Sequence, residues 1–100
     1  MIRRVLQEYA DAYSRLDAGA VKRLFPSVNE QALRQNFAAT KSQQVQIQNE
    51  TIAVNGTTAT ASFTWVATFT GQVGGVQRAS PKVVLRLQKT GDNWVIVERR

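Results

Sequence analysis

Apolar residues at Ile2, Val5, Leu6, Tyr9, Tyr13 and Leu16 recur at three- and four-residue steps, which places them on one face of a helix of about four turns. Asp17 then offers a carboxylate to the free amides of the next turn, and Ala20, Val21, Leu24 and Phe25 continue as a short second helix. Pro26 has no amide hydrogen and forbids extension. Ser27-Val28-Asn29-Glu30 reads as a capping box, with the Ser27 hydroxyl and the Glu30 carboxylate each serving an orphan amide. A third helix follows to about Ala39 and is expected to bury Ala32, Leu33 and Phe37.

After Thr40 the period changes from 3.6 to two, so the remaining chain reads as strands. Val45 and Ile47 share one parity while Ile52 and Val54 fall on the other, which predicts a bulge or bend near Asn49 to Thr51. Asn55-Gly56 is a hairpin signal, because both residues tolerate positive φ. The next strand alternates most clearly, with Ala59, Ala61, Phe63, Trp65, Ala67 and Phe69 against Thr58, Thr60, Ser62, Thr64, Thr68 and Thr70. Gly71-Gln72-Val73-Gly74-Gly75 predicts a turn, and Val83, Leu85 and Leu87 face inward along the strand after it. Pro81 puts the start of that strand at an edge or a bulge. Thr90-Gly91-Asp92-Asn93 closes the last hairpin before a strand from Trp94 to Glu98. The pattern predicts an α+β fold, three N-terminal helices packed on a curved four-stranded antiparallel sheet.

A chain of 100 residues supports one domain spanning 1–100. It opens inside a helix pattern and stops at the end of a strand pattern, as a domain taken from a longer protein would. The sequence contains neither cysteine nor histidine, which excludes disulfides, zinc fingers and imidazole or thiol catalysis. No apolar run approaches the roughly 20 residues of a membrane-spanning helix, and Met1 to Val5 read as neither signal peptide nor anchor. A membrane partner is not expected.

The formal charge is +6, from 13 basic and 7 acidic residues. Residues 1–50 hold seven basic and five acidic groups (+2), and 51–100 hold six and two (+4). The tightest clusters, Arg3-Arg4, Lys22-Arg23 and Arg99-Arg100, read as solvated faces, and their dispersion argues against nucleic acid as a partner. The acids Glu8 and Asp11 lie three apart on the first helix beside inward positions, so both are expected in solvent, and no metal site or cofactor is expected. Gly71, Gly74 and Gly75 precede neither a helix start nor a Lys-Ser/Thr pair, so they read as a flexible hairpin tip in preference to a phosphate loop.

Two groups of residues carry candidate function. Tyr9, Tyr13, Phe37, Phe63 and Trp65 would either line a small apolar ligand pocket or fill a core. Val66, Val84, Val95 and Val97 lie on the outer parity of their strands and could form a patch covered by a second subunit.

Val5-Leu6-Gln7-Glu8-Tyr9 through Asp11-Ala12-Tyr13, then Leu16-Asp17-Ala18, Val21 to Leu24-Phe25 and the closing Gly91-Asp92-Asn93-Trp94-Val95-Ile96 resemble nuclear transport factor 2-like domains, the group of ketosteroid isomerases and SnoaL-like proteins. The resemblance covers essentially the whole chain. It implies a cone-shaped, cystatin-like fold with a pocket between the concave sheet and the long helix, and often a homodimer. It also places Tyr9 where ketosteroid isomerases carry the tyrosine that donates to the substrate oxyanion. The isomerase base would fall between Ser27 and Leu33, where Glu30 reads as a cap, and the assisting acid near Val83, which holds no proton to give. The detailed pattern, with Leu24-Phe25-Pro26, Phe37 and Trp94-Val95-Ile96, is similar to accessory modules of bacterial multidomain proteins. The expected function is therefore a non-catalytic accessory domain that binds a small apolar ligand or a partner segment, including other domains of a parent protein, or forms a homodimer. The alternative is a small isomerase, cyclase or hydrolase using a pocket tyrosine.

Overall fold

A computed structural model of the chain describes residues 2–72 and 74–100. The first apolar stripe forms α1 (Ile2–Ser14), which buries Ile2, Leu6, Tyr9, Ala10 and Ala12, while Arg4 and Glu8 pair along its outer face. The helix ends in a Schellman turn: the Leu16 amide donates to the Tyr13 carbonyl at 3.0 Å and the Asp17 amide to that of Ala12 at 2.9 Å. Leu16 takes the left-handed conformation, φ 55°, that glycine usually supplies there. Asp17 then caps α2 (Ala18–Leu24), its Oδ1 accepting from the Ala20 amide at 3.0 Å.

The third helix, α3 (Glu30–Ala38), is capped by Asn29, whose Oδ1 accepts from the Ala32 amide at 3.0 Å. This corrects the expected capping box on Ser27. Lys22 donates to the Pro26 and Val28 carbonyls, folding Ser27 into the turn before the helix, and Glu30 pairs with Arg34 instead of reaching back. Phe37 is buried and Leu33 half-buried as expected, but Ala32 is exposed.

The strands are β1 (Thr40–Asn55), β2 (Thr58–Gly71), β3 (Val76–Ala79), β4 (Lys82–Thr90) and β5 (Asn93–Arg99), all paired antiparallel in one sheet. The expected bulge lies between Gln48 and Thr51, with Asn49 at φ 56°, and it returns Ile52 to the face of Val45 and Ile47. In the Asn55–Thr58 turn only Gly56 carries the positive φ, 64°. Helices and strands pack as two layers, with the buried side chains of α1, α2 and α3 against Val45, Ala61, Trp65, Leu85 and Ile96 of the sheet.

The sheet has five strands where the pattern predicts four. One edge of β2 pairs with β1, and the other is divided between β4, from Thr58 to Thr64, and β3, from Ala67 to Thr70. Pro81 stands at the division, its carbonyl accepting from the Trp65 amide at 2.9 Å. The residues of β3 are all exposed, so backbone pairing holds the strand and no burial alternation announces it. The turn expected over Gly71 to Gly75 joins β2 to β3, and Val73 within it lies outside the described residues.

The last strand carries an irregularity that sets up the site. Leu87 pairs with Ile96 and Arg86 with Glu98, leaving Val97 as the extra residue of a bulge. Simple alternation from Ile96 would turn Glu98 inward. The bulge instead turns Glu98 outward beside Arg86 and sets Arg99 opposite the fully buried Leu85, on the concave face.

Candidate functional site

Tyr9 and Tyr13 come from one face of α1, Phe37 from the last turn of α3, and Phe63 and Trp65 from the apolar face of β2. The structure gathers all five into one cluster. Ring centroids are 5.1 Å apart for Tyr9–Tyr13, 5.4 Å for Tyr9–Trp65, 5.0 Å for Tyr13–Trp65, 5.4 Å for Tyr13–Phe37 and 6.3 Å for Phe63–Trp65. The edge-on and tilted geometries satisfy the ring quadrupoles. Tyr9, Phe37, Phe63 and Trp65 are buried and Tyr13 is half-buried, so these rings pack against one another inside the cone.

Arg99 completes the cluster, which corrects its reading as part of a solvated basic pair. Its guanidinium carbon lies 4.7 Å from the Trp65 ring centroid, 5.8 Å from that of Tyr13 and 5.9 Å from that of Tyr9. Its Nη1 donates to the Tyr9 hydroxyl at 2.9 Å. None of the ion pairs among the described residues includes Arg99. Three electron-rich ring faces and one phenolic oxygen therefore hold the cation, a stacking that suits a planar guanidinium. The one signal of this arrangement in the sequence is the parity of the last strand, and a bulge of unknown position leaves that parity undefined.

At the mouth of the cluster lies a groove of about 430 Å³ lined by Tyr13, Val28, Asn29, Ala32, Leu33, Asn36 and Arg99. A larger cleft of about 530 Å³ lies between Arg15–Gly19 and Arg34–Ala38 and meets the cluster only at Phe37. The first is the candidate site, because it joins Tyr13 and Arg99 of the cluster in a lining without an acid, whereas the second sets Asp17 beside Arg15 and Arg34. Burial pushes the Tyr13 hydroxyl well above the ordinary phenol range, with the neighbouring Tyr9 adding to the effect and Arg99 opposing it. Tyr13 therefore enters the groove as a neutral hydrogen-bonding group.

The acids lie elsewhere. Glu8 pairs with Arg4, Glu30 with Arg34, Glu50 with Arg3 and Glu98 with Arg86 and Arg100, while Asp17 caps α2 and Asp11 accepts from Gln7. Hydrogen bonding from Arg100 holds the Glu98 carboxyl below the usual range, with Arg86 adding to it. Among the described residues the only buried side chains with a polar atom are those of Tyr9 and Trp65, no charged side chain is buried, and no group of three or more Asp and Glu gathers as a metal site.

The valines Val66, Val84, Val95 and Val97 are spread over three strands, β2, β4 and β5. Val66 pairs with Gln46, Val84 with Ser62 and Val95 with Gln88, and the Arg86–Glu98 pair separates Val84 from Val95. Val97 sits in the bulge at 40% exposure.

No protein-family model matches the sequence and no curated protein matches it. Solved structures match it over nearly its whole length. A nuclear transport factor 2-like superfamily protein from Salmonella enterica serovar Typhimurium superposes with TM-score 0.88 at 18% identity, covering 99% of this chain and 85% of that one. A protein from Streptomyces avermitilis, provisionally assigned as a dehydratase of the same family, gives 0.87 at 14% identity over 99% of this chain and 91% of that one. One from Novosphingobium aromaticivorans, provisionally assigned as a scytalone dehydratase, gives 0.83 at 14% identity over 98% and 78%. The chain has the nuclear transport factor 2-like fold, the α+β cone that the resemblance implies.

Proposed function

We propose that this domain is a non-catalytic binding module that takes a small, largely apolar molecule in the groove between Tyr13, α3 and Arg99. One observation carries the reading: the aromatic cluster offers a groove with a ring and a cation at its floor, and no acid–base pair. Tyr9, the residue that the isomerase resemblance singles out, is fully buried, bound to Arg99 and absent from the groove lining. Tyr13 does line the groove and can donate a hydrogen bond there, but the lining holds no carboxylate to serve as a base. Proton transfer on a substrate requires a group of matched pKa within hydrogen-bond reach, which weighs against the alternative of an isomerase, cyclase or hydrolase. An NMR titration with neutral naphthamide tests the reading. Shifts confined to Tyr13, Leu33, Asn36 and their neighbours are expected, and unchanged spectra at millimolar probe overturn it.

Homodimerisation through the outer sheet face is the second part of the proposal. Thr60, Ser62, Arg86 and Gln88 are exposed there, and the half-buried Val66, Val84 and Val95 add apolar area among them. Sedimentation equilibrium is expected to show a dimer at high micromolar concentration that Val84→Asp dissociates. A monomer throughout that range removes this part of the proposal.

A further inference from the structure

Resting on the groove assignment, we infer that the ligand is an organic monocarboxylate, its carboxylate held by Arg99 and its apolar body lying against Tyr13, Val28, Leu33 and Ala32. A cation withdrawn from water ordinarily sits against a carboxylate, since an unpaired charge in apolar surroundings is costly. Arg99 is half-buried on the concave face and enters none of the ion pairs among the described residues, whereas the other arginines outside those pairs, Arg15, Arg23 and Arg78, are exposed to water.

The placement is specific. The Val97 bulge reverses the strand's alternation and so directs Arg99 inward, and stacking on Trp65 together with the bond to Tyr9 holds the guanidinium in one orientation. A fixed planar fork suits bidentate recognition of a carboxylate, and preorganisation lowers the ordering cost of binding.

Charge and size narrow the class. Arg99 is the one charged residue among the groove's lining, so a single negative charge balances it, whereas a phosphate dianion would leave excess charge in the groove. The lining otherwise mixes apolar side chains with Asn29 and Asn36, and about 430 Å³ lies within the roughly 300–1,000 Å³ range of small-molecule sites. An aromatic or branched aliphatic acid of modest size meets these conditions.

Matched probes test the inference on the unmodified protein. Isothermal titration should show naphthoate binding at least about tenfold more tightly than naphthamide, a ratio in keeping with a charge-assisted hydrogen bond. Equal affinity for acid and amide overturns the carboxylate assignment and leaves the apolar-binding reading standing, whereas no binding of either probe overturns both. Naphthyl phosphate binding more tightly than naphthoate overturns the single-charge argument. In Arg99→Gln, naphthoate should fall to the affinity of naphthamide, and Arg99→Lys should keep part of the difference. A tenfold preference that survives Arg99→Gln would trace to the protein's diffuse positive charge and would overturn the role of Arg99.

Discussion

Arg99 and Tyr9 stand 90 residues apart in sequence, yet the guanidinium Nη1 of one donates to the hydroxyl of the other at 2.9 Å. The bond ties the last strand to the first helix across the aromatic cluster. Removing the acceptor with Tyr9→Phe should destabilise the fold by about 1–2 kcal/mol, as expected for a part-buried hydrogen bond to a charged donor. A double-mutant cycle with Arg99→Gln, followed by urea denaturation, should return a coupling of about 1 kcal/mol. Additive effects would mean that the cation is held by the rings alone.

Tyr13 makes stability sensitive to alkali. Burial raises its folded-state pKa above the ordinary value of 10.0, so the native state holds a proton that the unfolded chain releases. The contribution is fully present below pH 10 and is lost as pH rises past that value, at up to about 1.4 kcal/mol per pH unit. Denaturation midpoints from pH 10 upward should therefore fall more steeply in the wild type than in Tyr13→Phe. An identical slope in both proteins would contradict the burial of that hydroxyl.

The helix caps separate two readings of one segment. Asn29→Ala should cost about 1 kcal/mol because it leaves the Ala32 amide without its acceptor, and Asp17→Ala should cost a similar amount at α2. Ser27→Ala should change stability by no more than about 0.5 kcal/mol, the usual range for exposed positions. Thermal unfolding of the three variants decides whether the cap lies at Asn29 or two residues earlier.

Asn49 occupies the left-handed region at the β1 bulge, φ 56°, where a branched side chain meets its own backbone. Asn49→Val should cost about 1–2 kcal/mol, and Asn49→Gly should be neutral to slightly stabilising. The contrast is readable by chemical denaturation, and equal effects would place the bulge elsewhere.

Much of this molecule was legible in its residue order because the signals are local. The helix stripe from Ile2 to Leu16, the stop at Pro26, the parity change at Asn49 and the alternation around Trp65 each depend on backbone periodicity and on which side chains prefer to leave water. The five aromatic residues of the cluster could be chosen for the same reason, since each lies on the apolar side of its own element. The cap at Asn29 was harder to see, because two residues in the same short stretch can both accept an amide and only the path of the turn chooses between them.

Three matters required the third dimension. The strand β3 exists because the distal half of β2 has backbone groups to pair, and the exposed Val76–Ala79 segment bears no pattern of its own. Whether the rings enclose space or fill it depends on how closely α1 approaches β2, a distance that no sequence spacing encodes. The inward turn of Arg99 follows from one extra residue at Val97, since a strand alternates faces at every residue and a single bulge exchanges inside for outside for all that follow. Local sequence thus determined which elements form and which of their faces avoid water, while long-range pairing decided that a cation would share the interior with three aromatic rings.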